Sequence, residues 1–333
     1  MERKLVSVQV VESLAPIQGA DKIEQARVMG WTVVVKKGEF SPGDRCVFFE
    51  IDSVLPDGAA WAELMRPRGF RVRTLKLRGV LSQGLALPAA ILGGDVPEVG
   101  TDVRDRLGVT KFEAVLPDAR EVAGPFPALV PKTDEIRLQS ALGVLDEIRG
   151  RELYVSTKLD GTSATFFRAP GGEFVACSRN WALARGPNPV WRVAERLGLA
   201  ERLPEGIALQ GEICGPGIQK NRLGLADVEV FFFNVYDARA GRFLDHEAFL
   251  AFCRDFGLRT VPVERVVRGE EAVRFEHTLE GWLEAARGLY SGTKNRKEGI
   301  VVRPLVEVPS AALGGSRLSF KVINNDFLLA DED

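Results

Sequence analysis

Five charged side chains interrupt otherwise apolar, strand-like runs of this sequence. They are Lys158 and Asp160 in the stretch 152–161, Glu212 in 209–213, Glu298 directly before Gly299, and Lys321 in 317–323. An ionic group inside an apolar strand is costly unless it is paired, which makes each of them a candidate for chemistry. A lysine becomes a nucleophile when burial or nearby positive charge lowers its pKa. In a nucleotide site a divalent metal could supply that charge, held by acidic side chains. Taken singly, each run is more often an edge strand or turn with a surface charge.

Such side chains need rigid elements to aim them. If 152–160 is a strand, its period of two puts Lys158 and Asp160 on one face, opposite Leu153, Val155 and Thr157. Gly161 then permits a sharp turn into a second apolar strand at Ala164–Phe167. In the run 230–237, Phe231 and Phe233 share a face and Phe232 takes the other. Upstream, 5–10, 31–35, 46–51, 75–78 and 84–88 read as five short strands separated by Gly/Pro turns. That pattern predicts a small closed β-barrel of the OB type over 1–112. The Pro- and Ala-rich stretch 113–131 reads as a linker. The remainder, 132–333, mixes strands with amphipathic helices near 190–202, 246–256 (with Asp245 as N-cap) and 279–290. The order is neither a repeat nor a regular βαβ alternation. It predicts an α+β domain of antiparallel sheets flanked by helices.

With 333 residues, the chain is long enough for two domains with real cores. No apolar run approaches the length of a membrane span, and the N-terminus lacks the layout of a signal peptide, so no membrane partner and a cytoplasmic setting are expected. Cys46, Cys177, Cys214 and Cys253 lie far apart with only two histidines, His246 and His277, which offers no zinc spacing and reads as reduced structural thiols. The formal net charge of −2 argues against a generic nucleic-acid coat. Its distribution is uneven, however. Arg66, Arg68, Arg71, Arg73, Lys76 and Arg78 follow one another without an intervening acid, with Phe70 among them, as a candidate grip on a phosphate backbone.

Taken in order, the charged runs resemble the motifs of the covalent nucleotidyltransferase superfamily of DNA ligases, RNA ligases and mRNA capping enzymes. The matches are KLDG (158–161), CSRN (177–180), LQGEI (209–213), VFFFNVYD (230–237), EGIVVR (298–303) and SFKV (319–322). Residues 130–139 and 211–220 resemble segments of double-strand RNA ligases. The barrel-like part comes first, whereas DNA ligases and capping enzymes carry an OB domain after the last motif. With the stretches 19–24 and 47–52, this layout resembles the Deinococcus-type clade of ATP-dependent RNA ligases. The resemblance implies that Lys158 takes AMP from ATP, passes it to an RNA 5′-phosphate, and that a 3′-OH then displaces it. It assigns Asp160, Glu212 and Glu298 to Mg²⁺ or Mn²⁺ and its hydration shell, Lys321 to the α-phosphate, and Phe233 to an adenine stack. Thr157, Gly161, Arg137 and Arg179 complete the nucleotide site, with Arg137 toward the γ-phosphate and Arg179 near the nucleotide or the RNA end. Many relatives have Lys-x-Lys in the last motif. Here Ser319 stands at the first of these, and its role is open. The implied partner is RNA, as a nicked duplex or an RNA–DNA hybrid, with no obligatory protein partner. Two alternatives stand beside this reading: a DNA ligase or capping-type enzyme, and a non-catalytic OB-fold RNA-binding protein.

Overall fold

The computed structural model describes residues 4–112 and 121–330. They form two compact units, one built from 4–112 with 138–142 and 328–330, the other from 121–137 and 143–327. Among the described residues no helix is long and apolar enough to cross a membrane.

The first unit is made almost wholly of short strands: β1 (Val6–Val10), β2 (Ser13–Pro16), β3 (Ile23–Val28), β4 (Trp31–Lys36), β5 (Arg45–Phe49), β6 (Ser53–Val54), β7 (Thr74–Leu77), β8 (Val80–Gln83), β9 (Leu85–Pro88) and β10 (Thr110–Lys111). They pair as β1-β5-β9, β2-β3-β4, β7-β8 and β6-β10. All five strands read from the sequence are present. The sequence reading passed over β2, β3, β6, β8 and β10, which are short or carry polar residues on an exposed face. Alternation along β4 buries Trp31, Val33 and Val35, which pack with Phe48 of β5 and Val28 of β3 in one apolar cluster.

The second unit holds two larger sheets. One has seven strands in the order β11-β16-β15-β14-β17-β18-β19. These are β11 (Val122–Pro125), β14 (Thr162–Arg168), β15 (Phe174–Cys177), β16 (Trp181–Leu183), β17 (Ile207–Cys214), β18 (Glu229–Asp237) and β19 (Arg242–Phe243). The other has five, in the order β12-β22-β21-β13-β20, formed by β12 (Ile136–Arg137), β13 (Leu153–Lys158), β20 (Val263–Val267), β21 (Gly299–Pro304) and β22 (Phe320–Ile323). All their pairings are antiparallel except the β12–β22 pair, which is parallel. Helices Pro189–Arg196, Leu199–Arg202 and His246–Asp255 place Val190, Val193, Leu199, Phe249 and Cys253 against Phe166, Leu209 and Phe232 of the seven-stranded sheet.

Three local readings differ from the structure. The stretch expected as a linker lies partly outside the described residues, and its described part contributes β11, an edge strand beside β16. Asp245 precedes its helix, but its carboxylate accepts from the Glu307 amide instead of capping the helix. The helix expected over 279–290 ends at Ala285, leaving Tyr290 in a turn.

Two glycines let the active strands approach their neighbours. A Cβ on Gly161 would stand 2.3 Å from the Ile213 carbonyl oxygen and 2.9 Å from Glu212 Cγ, so the turn after β13 presses directly on β17. A Cβ on Gly299 would stand 2.1 Å from the Val322 carbonyl oxygen, which closes β21 onto β22. Gly161→Ala must therefore push two sheets apart. It is expected to cost about 1–3 kcal/mol, read as a lowered urea midpoint. An unchanged midpoint would show that the contact relaxes freely.

Candidate active site

The register of β13 against β21 sets the centre of the site. Lys158, the last residue of β13, lies opposite Gly299, so its side chain meets that of Glu298 just before β21 begins. Lys158 Nζ donates to Glu298 Oε2 at 2.7 Å. The lysine opens into a cleft that is continuous with solvent. Thr157, Lys158, Val301 and Arg303 of the five-stranded sheet line one side, and Glu212 and Phe233 of the seven-stranded sheet the other.

Carboxylates dominate the electrostatics here. Burial pulls the Lys158 ammonium down, but Glu298, Glu212 and Asp160 outweigh burial and hold it above the usual lysine range. Without further positive charge this lysine is protonated and not nucleophilic. Glu212 shows the other half of the balance. Burial first, then Glu298 and Asp160, push its carboxyl up to about 8 against the pull of Lys158 and Arg179. The cluster thus carries more negative charge than its cations satisfy. Among the described residues no three His, Cys, Asp or Glu side chains converge tightly enough to hold a metal ion between them. Hard carboxylate oxygens spread around a lysine suit Mg²⁺ or Mn²⁺ that keeps much of its water shell.

Lys321 of β22 stands behind Lys158. It pairs across the ladder with Val301 on one side and with Arg137 of β12 on the other. Burial lowers its pKa to about 7, helped by Lys158 and Arg137 and opposed by Glu298 and Asp134. In this structure the lysine poised near neutrality is therefore Lys321.

Phe233 reaches the cleft through a bulge. Gln210 faces Asn234 and Gly211 faces Phe232, so Phe233 is the extra residue on β18 and its ring is redirected. Phe232 is fully buried in the core behind the sheet, while Phe231 and Phe233 pack near Leu159 and Tyr290.

Two family profiles match this chain: an OB-fold domain over residues 5–89 and RNA ligase over 151–323. Among solved structures, a Naegleria gruberi RNA ligase with PPi is 34% identical, covers 100% of both chains and superposes with a TM-score of 0.87. A variant of that ligase with ATP and Mn is 33% identical, with 98% of this chain and 99% of the other covered, at a TM-score of 0.85. Another, with AMP and Mn, has the same identity, coverage and score. No curated protein matches. The chain belongs to the RNA ligase family. Its first unit is the OB-fold domain.

The remaining expected residues of this RNA ligase are held by partners of their own. Asp160 turns its carboxylate to Arg222 Nε at 2.8 Å. Arg179 pairs with Asp134. Thr157 donates its hydroxyl to Glu264 Oε1 at 2.8 Å, and Lys297 Nζ holds the other oxygen of Glu264 at 2.5 Å. Glu264 is the extra residue of a bulge between β20 and β13, so one carboxylate ties together the neighbours of Lys158 and Glu298.

Motif reading missed a second buried network. Arg303 Nη2 donates to Glu135 at 2.6 Å, its Nε to Ser319 Oγ at 2.9 Å, and its Nη1 to the Phe233 carbonyl at 3.1 Å. Burial pushes the Glu135 carboxyl up, but Arg303 and Arg317, with the Ser319 hydroxyl, hold it below its usual value. Arg303 is a charge inside an apolar strand, the same signal that singled out Glu212 and Lys321, and could have been found by it.

The basic run 66–78 is only partly available for RNA. Arg66 pairs with Asp57 and Glu63, and Arg71 pairs with Asp52 and lies 3.5 Å over the Phe112 ring. Arg68, Arg73, Lys76 and Arg78 are exposed.

Lys321 makes a pH prediction. Its ordinary value of 10.5 applies in the unfolded ligase and about 7 in the folded one, so folding costs most below pH 7 and nothing from this group above 10.5. Lys321→Met should therefore unfold at higher urea than the wild type at neutral pH, by about 1–2 kcal/mol. In metal-free buffer the gap should close as pH rises toward the ordinary lysine value. A gap that stayed constant with pH would rule out the buried charge as its cause.

Proposed function

We propose that this RNA ligase uses ATP to seal a 3′-OH to a 5′-phosphate at nicks in duplex RNA or RNA–DNA hybrids, through AMP carried on Lys158. The observation that carries this reading is a lysine at the end of a buried strand, opening into a cleft lined by Glu212 and Phe233, with Glu298 on its amine and Asp160 and Lys321 close enough to act on charges there. Lys158 Nζ attacks the α-phosphorus of ATP; the P–N bond forms and pyrophosphate leaves. A 5′-phosphate oxygen of RNA then takes the AMP, breaking the P–N bond and returning the amine. Finally the 3′-OH attacks the activated 5′-phosphorus and expels AMP. Each displacement is a separate phosphoryl transfer, so no single barrier carries the whole reaction.

Within this scheme Lys321 meets the α-phosphate oxygens, where negative charge develops. Its near-neutral pKa means that an arriving phosphate secures its proton. Arg137, its neighbour across the ladder, faces the outer phosphates, and Arg179 the nucleotide or RNA end. The Phe233 ring stacks on adenine, with Thr157 and Gly161 shaping the turn beside it. Asp160, Glu212 and Glu298 fit Mg²⁺ or Mn²⁺ held largely through water, because burial and their mutual repulsion leave Glu212 short of positive charge. When bound, the ion neutralises these carboxylates and phosphate oxygens together. Glu298 is then no longer the group that fixes the proton on Lys158. The Naegleria ligase structures with ATP or AMP and Mn support the same cofactor pair.

Incubation with ATP labelled at the α-phosphate and Mg²⁺, after clearing bound AMP with pyrophosphate, tests this directly. The wild type should carry label on a denaturing gel and Lys158→Ala none. Nicked duplexes differing in RNA or DNA at the 3′-OH side should then seal only with RNA there. Label on Lys158→Ala would remove the lysine from its role, and equal sealing of DNA ends would remove the RNA preference.

The OB-fold unit contributes a second expectation. Replacing Arg68, Arg73, Lys76 and Arg78 by glutamine should leave lysyl-AMP formation intact. Sealing should fall about tenfold or more at raised salt, with a shallower salt dependence, if these side chains neutralise phosphates. Normal sealing by that variant at raised salt would place RNA elsewhere on the surface.

A further inference from the structure

We propose that Tyr290, which lies outside every motif, is a positioning residue for lysyl-AMP formation, its one hydroxyl fixing Lys158 against Glu298. The proposal rests on the assignment of Lys158 as the AMP-carrying group.

The β13–β21 ladder ends at the pair Lys158–Gly299. Beyond it the two chains part, and the amides of Asp160 and Glu298 would be left without ladder partners. Tyr290 supplies them. Its Oη accepts from the Asp160 amide at 2.9 Å and from the Glu298 amide at 3.0 Å, and donates to the Lys158 carbonyl at 3.1 Å. A phenol has one proton and two lone pairs, so every bonding position of this oxygen is used. The three contacts join segments 130 and 132 residues upstream to one 8 residues downstream. They fix the backbone from the Lys158 carbonyl to the Asp160 amide and immediately at Glu298.

The ring is itself fixed. Tyr290 is 4% exposed and packs with Leu159, Cys214 and Val261. Its amide donates to the Asn295 carbonyl and its carbonyl accepts from the Thr293 amide, which closes a tight turn. From that turn the Asn295 side chain donates to the Arg222 carbonyl at 2.6 Å, and Arg222 holds the Asp160 carboxylate. One short segment therefore secures the backbone of Lys158 and Glu298 and the side chain of Asp160. A reacting amine displaced by about an ångström can lose on the order of a hundredfold in rate, so the hydroxyl acts on catalysis through the lysine it places.

Tyr290→Phe keeps the ring and its packing but strands two buried amides and a carbonyl. Single-turnover lysyl-AMP formation is measured across ATP concentrations on protein cleared of AMP, with the wild type alongside and the folded fraction read by circular dichroism. The maximal rate per folded molecule should fall roughly ten- to hundredfold, while half-saturating ATP changes less than about threefold. A merely structural tyrosine would lower the melting temperature and leave that maximal rate at the wild-type value, which would overturn the proposal. So would a loss confined to ATP affinity. An unlabelled wild type would instead overturn the assignment of Lys158, so the two failures are distinguishable. Should Tyr290→Phe not fold, amide exchange on the wild type decides. The Asp160 and Glu298 amides should be as protected as ladder amides, and loop-like exchange at both would overturn the bridge.

Discussion

The placement of an amine among carboxylates governs this site. Lys158 can attack phosphorus only as a free base, yet Glu298, Glu212 and Asp160 hold it protonated. Burial, with the crowding of these carboxylates, raises Glu212 to about 8. A site arranged only for stability would pair these charges or exclude them. Here a lysine with a partner too strong for chemistry stands beside carboxylates with too few cations, and a second lysine hovers near neutrality. In the proposed function each imbalance is relieved by what an ATP-using enzyme takes up: divalent charge for the carboxylates and phosphate oxygens for Lys321. The protein's own side chains leave the charges of this site unbalanced, as a site built to receive metal and phosphate would.

Keeping such a cluster in place falls to backbone geometry. Lys158 and Glu298 meet because β13 and β21 are neighbours in one sheet; Glu212 and Phe233 arrive from another. Glycine is required at 161 and 299, where main-chain oxygens stand closer than any side chain allows. Bulges at Phe233 and Glu264 break the period of two where a side chain must be redirected, one ring into the cleft and one carboxylate behind it. The strain of unmatched charge is thus set against ladders of hydrogen bonds on both sides of the cleft, and rigid strands are better suited to that than loops.

Much of this was legible in the sequence, and the reasons for the rest are physical. Strand period and isolated charges located Lys158, Glu212, Glu298 and Lys321, because a charge in an apolar strand is a local anomaly. The same alternation separated Phe232 from Phe231 and Phe233. The bulge that aims Phe233 cannot be read from alternation, since it depends on the partner strand. Tyr290 was invisible for a related reason: its hydroxyl acts on amides more than a hundred residues away, and nothing beside it in sequence signals that need. The helix expected through 290 ends at Ala285, and the turn that follows is set by Asn295 and Thr293. In the first unit, strands with one exposed face escaped notice because β2 and β3 carry Ser, Glu, Gln and Arg where a buried strand would be apolar.

The departure at Ser319 follows from the same accounting of charge. Ser319 is buried between Arg303 and Glu135, accepting from the guanidinium and donating to the carboxylate. Two residues on, burial first and then the nearby Lys158 and Arg137 already bring Lys321 down to about 7. A lysine at 319 would bring another buried cation beside Arg303, with Glu135 already engaged. Arg303 supplies in this chain the fixed positive charge on that face of the strand, and it also holds the Phe233 carbonyl at the bulge. Serine then suits the position, since it offers one acceptor and one donor and adds no charge. Serine at 319 is thus matched to Arg303, which β21 carries across from it.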